Sequence, residues 1–177
     1  DQHIRYAQAG GFRFLMISSN SFAIPASFTW LPAFSNGLKD LKEVVDKINN
    51  SGIIAGVHLY YTKADKKDIY VTGNPDHRLG IRKIFTLAEP ITEYSDTITV
   101  EENPRGCAMQ DGRRILKVGE ELITYREYTS ERPYQFTGCQ RGHLQTKVYA
   151  REKGFKLGLL DVDTWNRWVR FDQKASI

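Results

Sequence analysis

Apolar and polar positions in the first sixty residues repeat one grammar: helix end, glycine turn, buried strand, polar loop. His3–Gly11 reads as the end of a helix stopped by Gly10 and Gly11. Phe12–Ser18 is a short apolar run of the kind a parallel sheet buries on both faces. Between Gly37 and Asn50, Leu38, Leu41, Val44, Val45 and Ile48 fall on one helical face, and Lys39, Asp40, Lys42, Glu43, Asp46 and Lys47 take the other. Asn36 is placed to cap this helix and Gly52 to stop it. Ile53–Tyr61 is a second buried strand. Two such strands joined by a helix predict a parallel α/β crossover.

The pattern changes near Lys63. From about Lys83 to Leu160 no amphipathic helix is predicted. RKIFTLA, DTITVEE, RRILKVG, ELITYREYT and YQFTGCQR read as short strands, with Gly119-Glu120 as a hairpin turn. This stretch predicts a small antiparallel β-barrel or sandwich. Beyond Gly158 the first grammar returns, and Trp168–Gln173 reads as another core strand. The expected fold is therefore α/β plus all-β. A partial (β/α) TIM-barrel segment, residues 1–66 and 161–177, is interrupted by an antiparallel β module at 67–160. An eight-fold barrel takes ~250 residues. Three parallel strands are an incomplete one, so the chain reads as a fragment whose expected partner is the remainder of its own chain.

Composition adds exclusions. At 41% hydrophobic and 26% charged residues, the 177-residue chain is neither disordered, collagen-like nor a disulfide scaffold. No apolar run approaches the ~20 residues of a membrane helix, so no membrane span is expected, and the first residues lack the pattern of a targeting segment. Twenty-five Lys and Arg against 21 Asp and Glu leave a net charge of +4. The signs alternate in KDLKEVVDK and KADKKD, which indicates a mixed solvated surface and no nucleic-acid partner. Cys107 and Cys139 have no CxxC or His at ligand spacing, so no metal site is expected. Their pairing depends on the redox compartment. GxGxxG, Walker, HExxH and GxSxG motifs are absent, and no cofactor is expected.

A resemblance rests on four passages: AGGFRFLMI, NGLKDLKEVVDKINNSGIIAGVHLYYTK, YVTGNPDHRL and WNRWVRFDQKASI. Together they resemble bacterial glycosidase-like (β/α)8-barrel proteins of the clan related to α-galactosidases. FTLAEPI, DTITVEE, RRILKVGEELITY and YQFTGCQRG with Thr146 resemble a β domain of phage tail-associated proteins. The resemblance covers most of the chain. It implies a carbohydrate partner, a glycoside hydrolase activity and a periplasmic or extracellular location. There are departures. Gln145 stands where that domain has Gly before Thr, and Arg151 where it often has His. The later barrel strands, which carry at least one essential carboxylate, are not in this sequence, so no full catalytic assignment carries over.

In barrels of this kind the chemistry sits at the C-terminal ends of the strands. That rule selects Ser18, Ser19 and Asn20 after the first strand, His58, Tyr60 and Lys63 after the second, and Asp172 and Gln173 after the last. Asp172 is the candidate catalytic carboxylate, set against a structural partner for Arg170. Glycoside hydrolysis needs two carboxyl groups, and no second one is evident, since Asp65, Asp68 and Asp76 read as solvated loop charges. His58 is suited to a sugar hydroxyl, because imidazole both donates and accepts; its other reading is a hydrogen-bonded core histidine. Lys63 is suited to an anionic group or to plain solvation. Trp30, among Phe22, Phe28 and Phe34, is a candidate for stacking on a sugar ring, or else the loop packs on itself. Ser18, Asn20 and Tyr60 complete the candidate substrate-binding set. Trp165 and Trp168 read as core or inter-module contacts, and Arg141, Gly142 and His143 as a turn or a ligand site. Two functions follow. One is a glycoside hydrolase with its cleft above the strand ends. The other is a non-catalytic carbohydrate-binding or assembly protein whose β module makes the contacts.

Overall fold

The computed structural model describes residues 1–172 and divides into two units, Asp1–Tyr61 and a second beginning at Thr62. Gln173 lies outside the described residues.

In the first unit the chain forms α1 (Gln2–Ala9), β1 (Phe14–Ser18), α2 (Leu38–Asn50) and β2 (Ile54–His58). The two strands pair in parallel, from Phe14 opposite Ile54 to Ser18 opposite His58. Ala7, Ile48 and Ile53 form a small buried core, onto which Ile4, Leu15, Ile17 and Ala55 pack. The alternate strand positions Phe14, Met16 and Ile54 remain exposed, so one sheet face is covered and the other is bare. Gly37, not Asn36, is the N-cap of α2, with φ 63° and ψ −124°. Glycine suits this turn twice over, since a Cβ would also meet the Trp30 indole nitrogen at 2.9 Å. Asn36 is tied in from the other side. Its backbone N–H and side-chain amide donate to the Asp40 carboxylate at 2.9 and 3.0 Å.

The second unit holds β3 (Lys63–Asp65), β4 (Ile81–Thr86), β5 (Thr97–Thr99), β6 (Ile115–Val118), β7 (Glu121–Thr124), β8 (Glu127–Tyr128), β9 (Gln135–Thr137), β10 (Lys156–Leu160) and β11 (Trp168–Arg170). Three antiparallel sheets result, in the orders β4-β10-β6-β7, β5-β9-β8 and β11-β3. The four- and three-stranded sheets share one core that includes Phe85, Ile98, Leu116, Val118, Ile123, Phe136, Leu157 and Leu159. Phe136 is its aromatic hub, with ring centroids of Phe85 and Tyr125 at 5.1 and 4.8 Å. Burying such a ring contributes about 2–3 kcal/mol. Gly119-Glu120 makes the two-residue hairpin between β6 and β7, with Val118 opposite Glu121.

This architecture corrects the expected partial TIM barrel. β11, read as a third strand of a parallel α/β host, pairs antiparallel with β3, from Trp168 opposite Asp65 to Arg170 opposite Lys63. Among the described strands β1 and β2 form the sole parallel pair. The chain is mostly small antiparallel sheets with two α-helices, and no barrel is closed. Single bridges, Leu87–Val100 and Thr124–Gln140, link the margins of the two larger sheets. An apolar strand specifies burial but not its neighbour, and here Val169 buries against Ala64 in the β3 ladder. β10, at the centre of the four-stranded sheet, is a strand that the sequence pattern does not mark. It is buried along most of its length, so it does not alternate, and Gly158 interrupts it.

Candidate functional site

The sequence-derived site residues fall in both units. In the first, β1 and β2 bring Ser18 and His58 side by side, and the His58 and Tyr60 rings meet at 4.7 Å. Ser19 is fully buried. Its hydroxyl and the Asn20 Oδ1 have no hydrogen-bond partner among the described residues. Both atoms are shielded from solvent and offer a ligand no direct access. Phe22 is buried against Trp30 and Phe34, so the aromatic loop packs largely on itself, while Trp30 keeps 38% of its surface exposed.

In the second unit, Lys63 is engaged. Its ammonium bonds the buried Asp163 carboxylate at 3.2 Å and lies 5.4 Å from the Trp168 ring centroid. Trp168 is core, whereas Trp165 is exposed, which corrects its reading as a packing contact. Asp172 is exposed at the end of β11, with its N–H donating to the Arg78 carbonyl at 2.7 Å. The Arg170 guanidinium bonds Asp161 at 2.9 Å, and Arg82 bonds the same carboxylate at 2.8 Å.

Asp172 lines one of four hollows in the second unit whose linings overlap in sequence. The first, of 250 Å³, is lined by Ile81, Asp161, Arg170, Phe171 and Asp172. Ile81 is shared with the second, of 210 Å³, which Ile84, Lys117, Gly119 and Lys156 complete. Lys117 and Gly119 pass into a third of 420 Å³, with Tyr70, Asn74, Asp76, His77 and Glu120. Asn74 and Glu120 continue into a fourth of 210 Å³, walled by Lys147 and Tyr149. Taken together as one trough, these overlapping linings carry carboxylates, ammonium groups, amides and three aromatic residues.

Its electrostatics come from fixed pairs. Arg78 bonds Asp76 through Nε and Nη2 at 3.0 and 2.9 Å, and these bonds hold the Asp76 carboxyl down to about 2. The same guanidinium lies 5.6 and 5.8 Å from the ring centroids of Tyr70 and Phe171. Burial lowers the Lys117 pKa, while the Asp76 and Glu120 charges oppose that shift. Its ammonium donates to the Gly119 carbonyl at 2.8 Å. Locked as an anion by Arg78, the Asp76 carboxyl is not placed to donate a proton near neutral pH.

Several of these groups were not selected from sequence. Asp65, Asp68 and Asp76 are not solvated charges. Asp65 and Asp68 are buried, Asp65 accepts from Arg167 Nε at 2.8 Å, and the Asp68 carboxylate accepts from the Tyr70 N–H at 2.9 Å. The alternation of acids with nearby basic residues hid these pairs, because it resembles a solvated surface. The Asp76-x-Arg78 spacing within PDHR was the available signal for the Asp76 fork.

Arg141 is structural. It donates through Nε and Nη2 to Glu121 at 2.7 Å each, with side-chain exposures of 7% and 0%. The Gly142 and Tyr149 backbone N–H groups complete that carboxylate at 3.2 and 3.3 Å. Cys107 and Cys139 are buried, unpaired thiols, and burial pushes Cys139 up to about 12. No group of three or more His, Cys, Asp or Glu is arranged to hold a metal ion among the described residues. No helix among them is long and apolar enough to cross a membrane. Comparisons with protein-family models, curated proteins and solved structures found no match to this chain.

Proposed function

We propose that the second unit is a carbohydrate-binding module whose trough takes an oligosaccharide without cleaving it. The mixed aromatic and polar lining of the trough supports this reading. Tyr70, Phe171 and Tyr149 line the trough, each with a guanidinium over its ring, together with the polar side chains of Asn74, His77, Glu120 and Lys147. A sugar presents both kinds of surface, with apolar C–H faces and a rim of hydroxyls. The resemblance of the β strands to a domain of phage tail-associated proteins is compatible with a module that makes contacts rather than performs chemistry. Hydrolysis is less well supported. Asp161, the other carboxylate lining the hollow with Asp172, is committed to Arg82 and Arg170.

Calorimetry against a panel of neutral oligosaccharides should give saturable binding. Tyr149→Ala should weaken it about 10-fold, the scale of a lost ring contact. The same mixtures should release no new reducing ends. No heat across the panel would remove the reading, and product release that Asp172→Asn abolishes would move the function to catalysis.

A further inference from the structure

A second opening lies outside the trough, beside the Thr124–Gln140 bridge. It is a groove of 590 Å³, the size of a small-ligand site. Its backbone is fixed, since Thr124 and Gln140 exchange N–H···O bonds of 3.1 and 2.9 Å. Directly opposed residues of such a bridge point to one face, and both line the groove. Arg114 is pre-oriented there, donating through Nη1 to the Arg126 carbonyl at 3.0 Å and through Nη2 to the Asp111 carboxylate. Gly138 lets the Arg126 side chain approach, because a Cβ at that position would lie 2.8 Å from the Arg126 Cβ.

The polar equipment is asymmetric. Two arginines and one carboxylate line it, and that carboxylate, on the exposed Asp111, already engages Arg114. The Arg126 guanidinium, the Gln140 amide and the Thr124 hydroxyl have no protein partner among the described residues. A planar fork of N–H donors beside an amide and a hydroxyl matches an oxyanion rather than a neutral ring.

We propose that this groove is an anion site, taking a ligand through a carboxylate or phosphate held by Arg126, with Gln140 and Thr124 as further hydrogen-bond partners. The site is independent of the trough and of the carbohydrate reading.

The test is an amide chemical-shift titration of the full chain with glucuronate, glucose 6-phosphate and glucose, each at matched ionic strength in sodium chloride. Saturable shifts at Arg126, Gln140 and Gly138 are expected with at least one of the two anions and not with glucose. Saturation by glucuronate alone assigns a carboxylate source, and by the phosphate alone a phosphate source. Arg126→Gln, a surface change whose fold the same spectrum checks, should weaken the effective anion about 10-fold. The proposal is overturned if neither anion shifts these residues, if glucose or chloride shifts them equally, or if Arg126→Gln binds as tightly.

Discussion

Glu121 is the residue on which the hairpin end of the four-stranded sheet depends. A fully buried carboxylate is costly unless every oxygen is satisfied, and here Arg141, Gly142 and Tyr149 share that task. Arg141→Ala leaves the anion buried with only its backbone donors. It should cost about 3–5 kcal/mol in denaturant unfolding, and a loss within a few tenths of zero would contradict this role. Asp76 gives a pH signature. Its pKa is lowered in the folded state, so its contribution is complete above the unfolded value and disappears as pH falls through about 2. Discounted for solvent screening, that contribution is about 1 kcal/mol. Asp76→Asn should therefore lower stability at pH 6 and reduce its fall between about pH 4 and 2.

At the scale of elements, regular local patterns were legible. Leu41, Val45 and Ile48 marked α2, the apolar runs marked β1 and β2, and Gly119-Glu120 marked the β6–β7 hairpin. β10 and β3 were not legible, one because it is buried without alternation, the other because its three residues carry two charges. The helical turn His143–Gln145 carries local backbone strain. Leu144 and Gln145 both have positive φ, 53° and 63°. Left-handed backbone costs a side chain about 1 kcal/mol, while glycine loses more entropy on folding. Gln145→Gly should thus be neutral to stabilising, by up to about 1 kcal/mol in thermal unfolding. A clear loss would show that the Gln145 side chain contributes a contact.

For the whole molecule, the helix–strand grammar of the first unit correctly indicated a parallel pair, but its extension to a barrel failed. The partner of β11 is decided by contacts far apart in sequence, Trp168 and Val169 against β3, which no local pattern carries. The candidate site was only partly legible for the same reason. Asp172 could be selected as a strand-end carboxylate, whereas the trough it lines is assembled from segments at 73–77, 117–120 and 147–149, far apart in sequence. Whether the trough holds an oligosaccharide, as proposed, is tested most directly by amide shift mapping of the full chain during titration with a calorimetrically active oligosaccharide. Shifts should cluster in residues 70–81, 117–120, 147–149 and 170–172 and saturate together. Saturable shifts confined to other residues, or none under conditions of measured binding, would contradict the account.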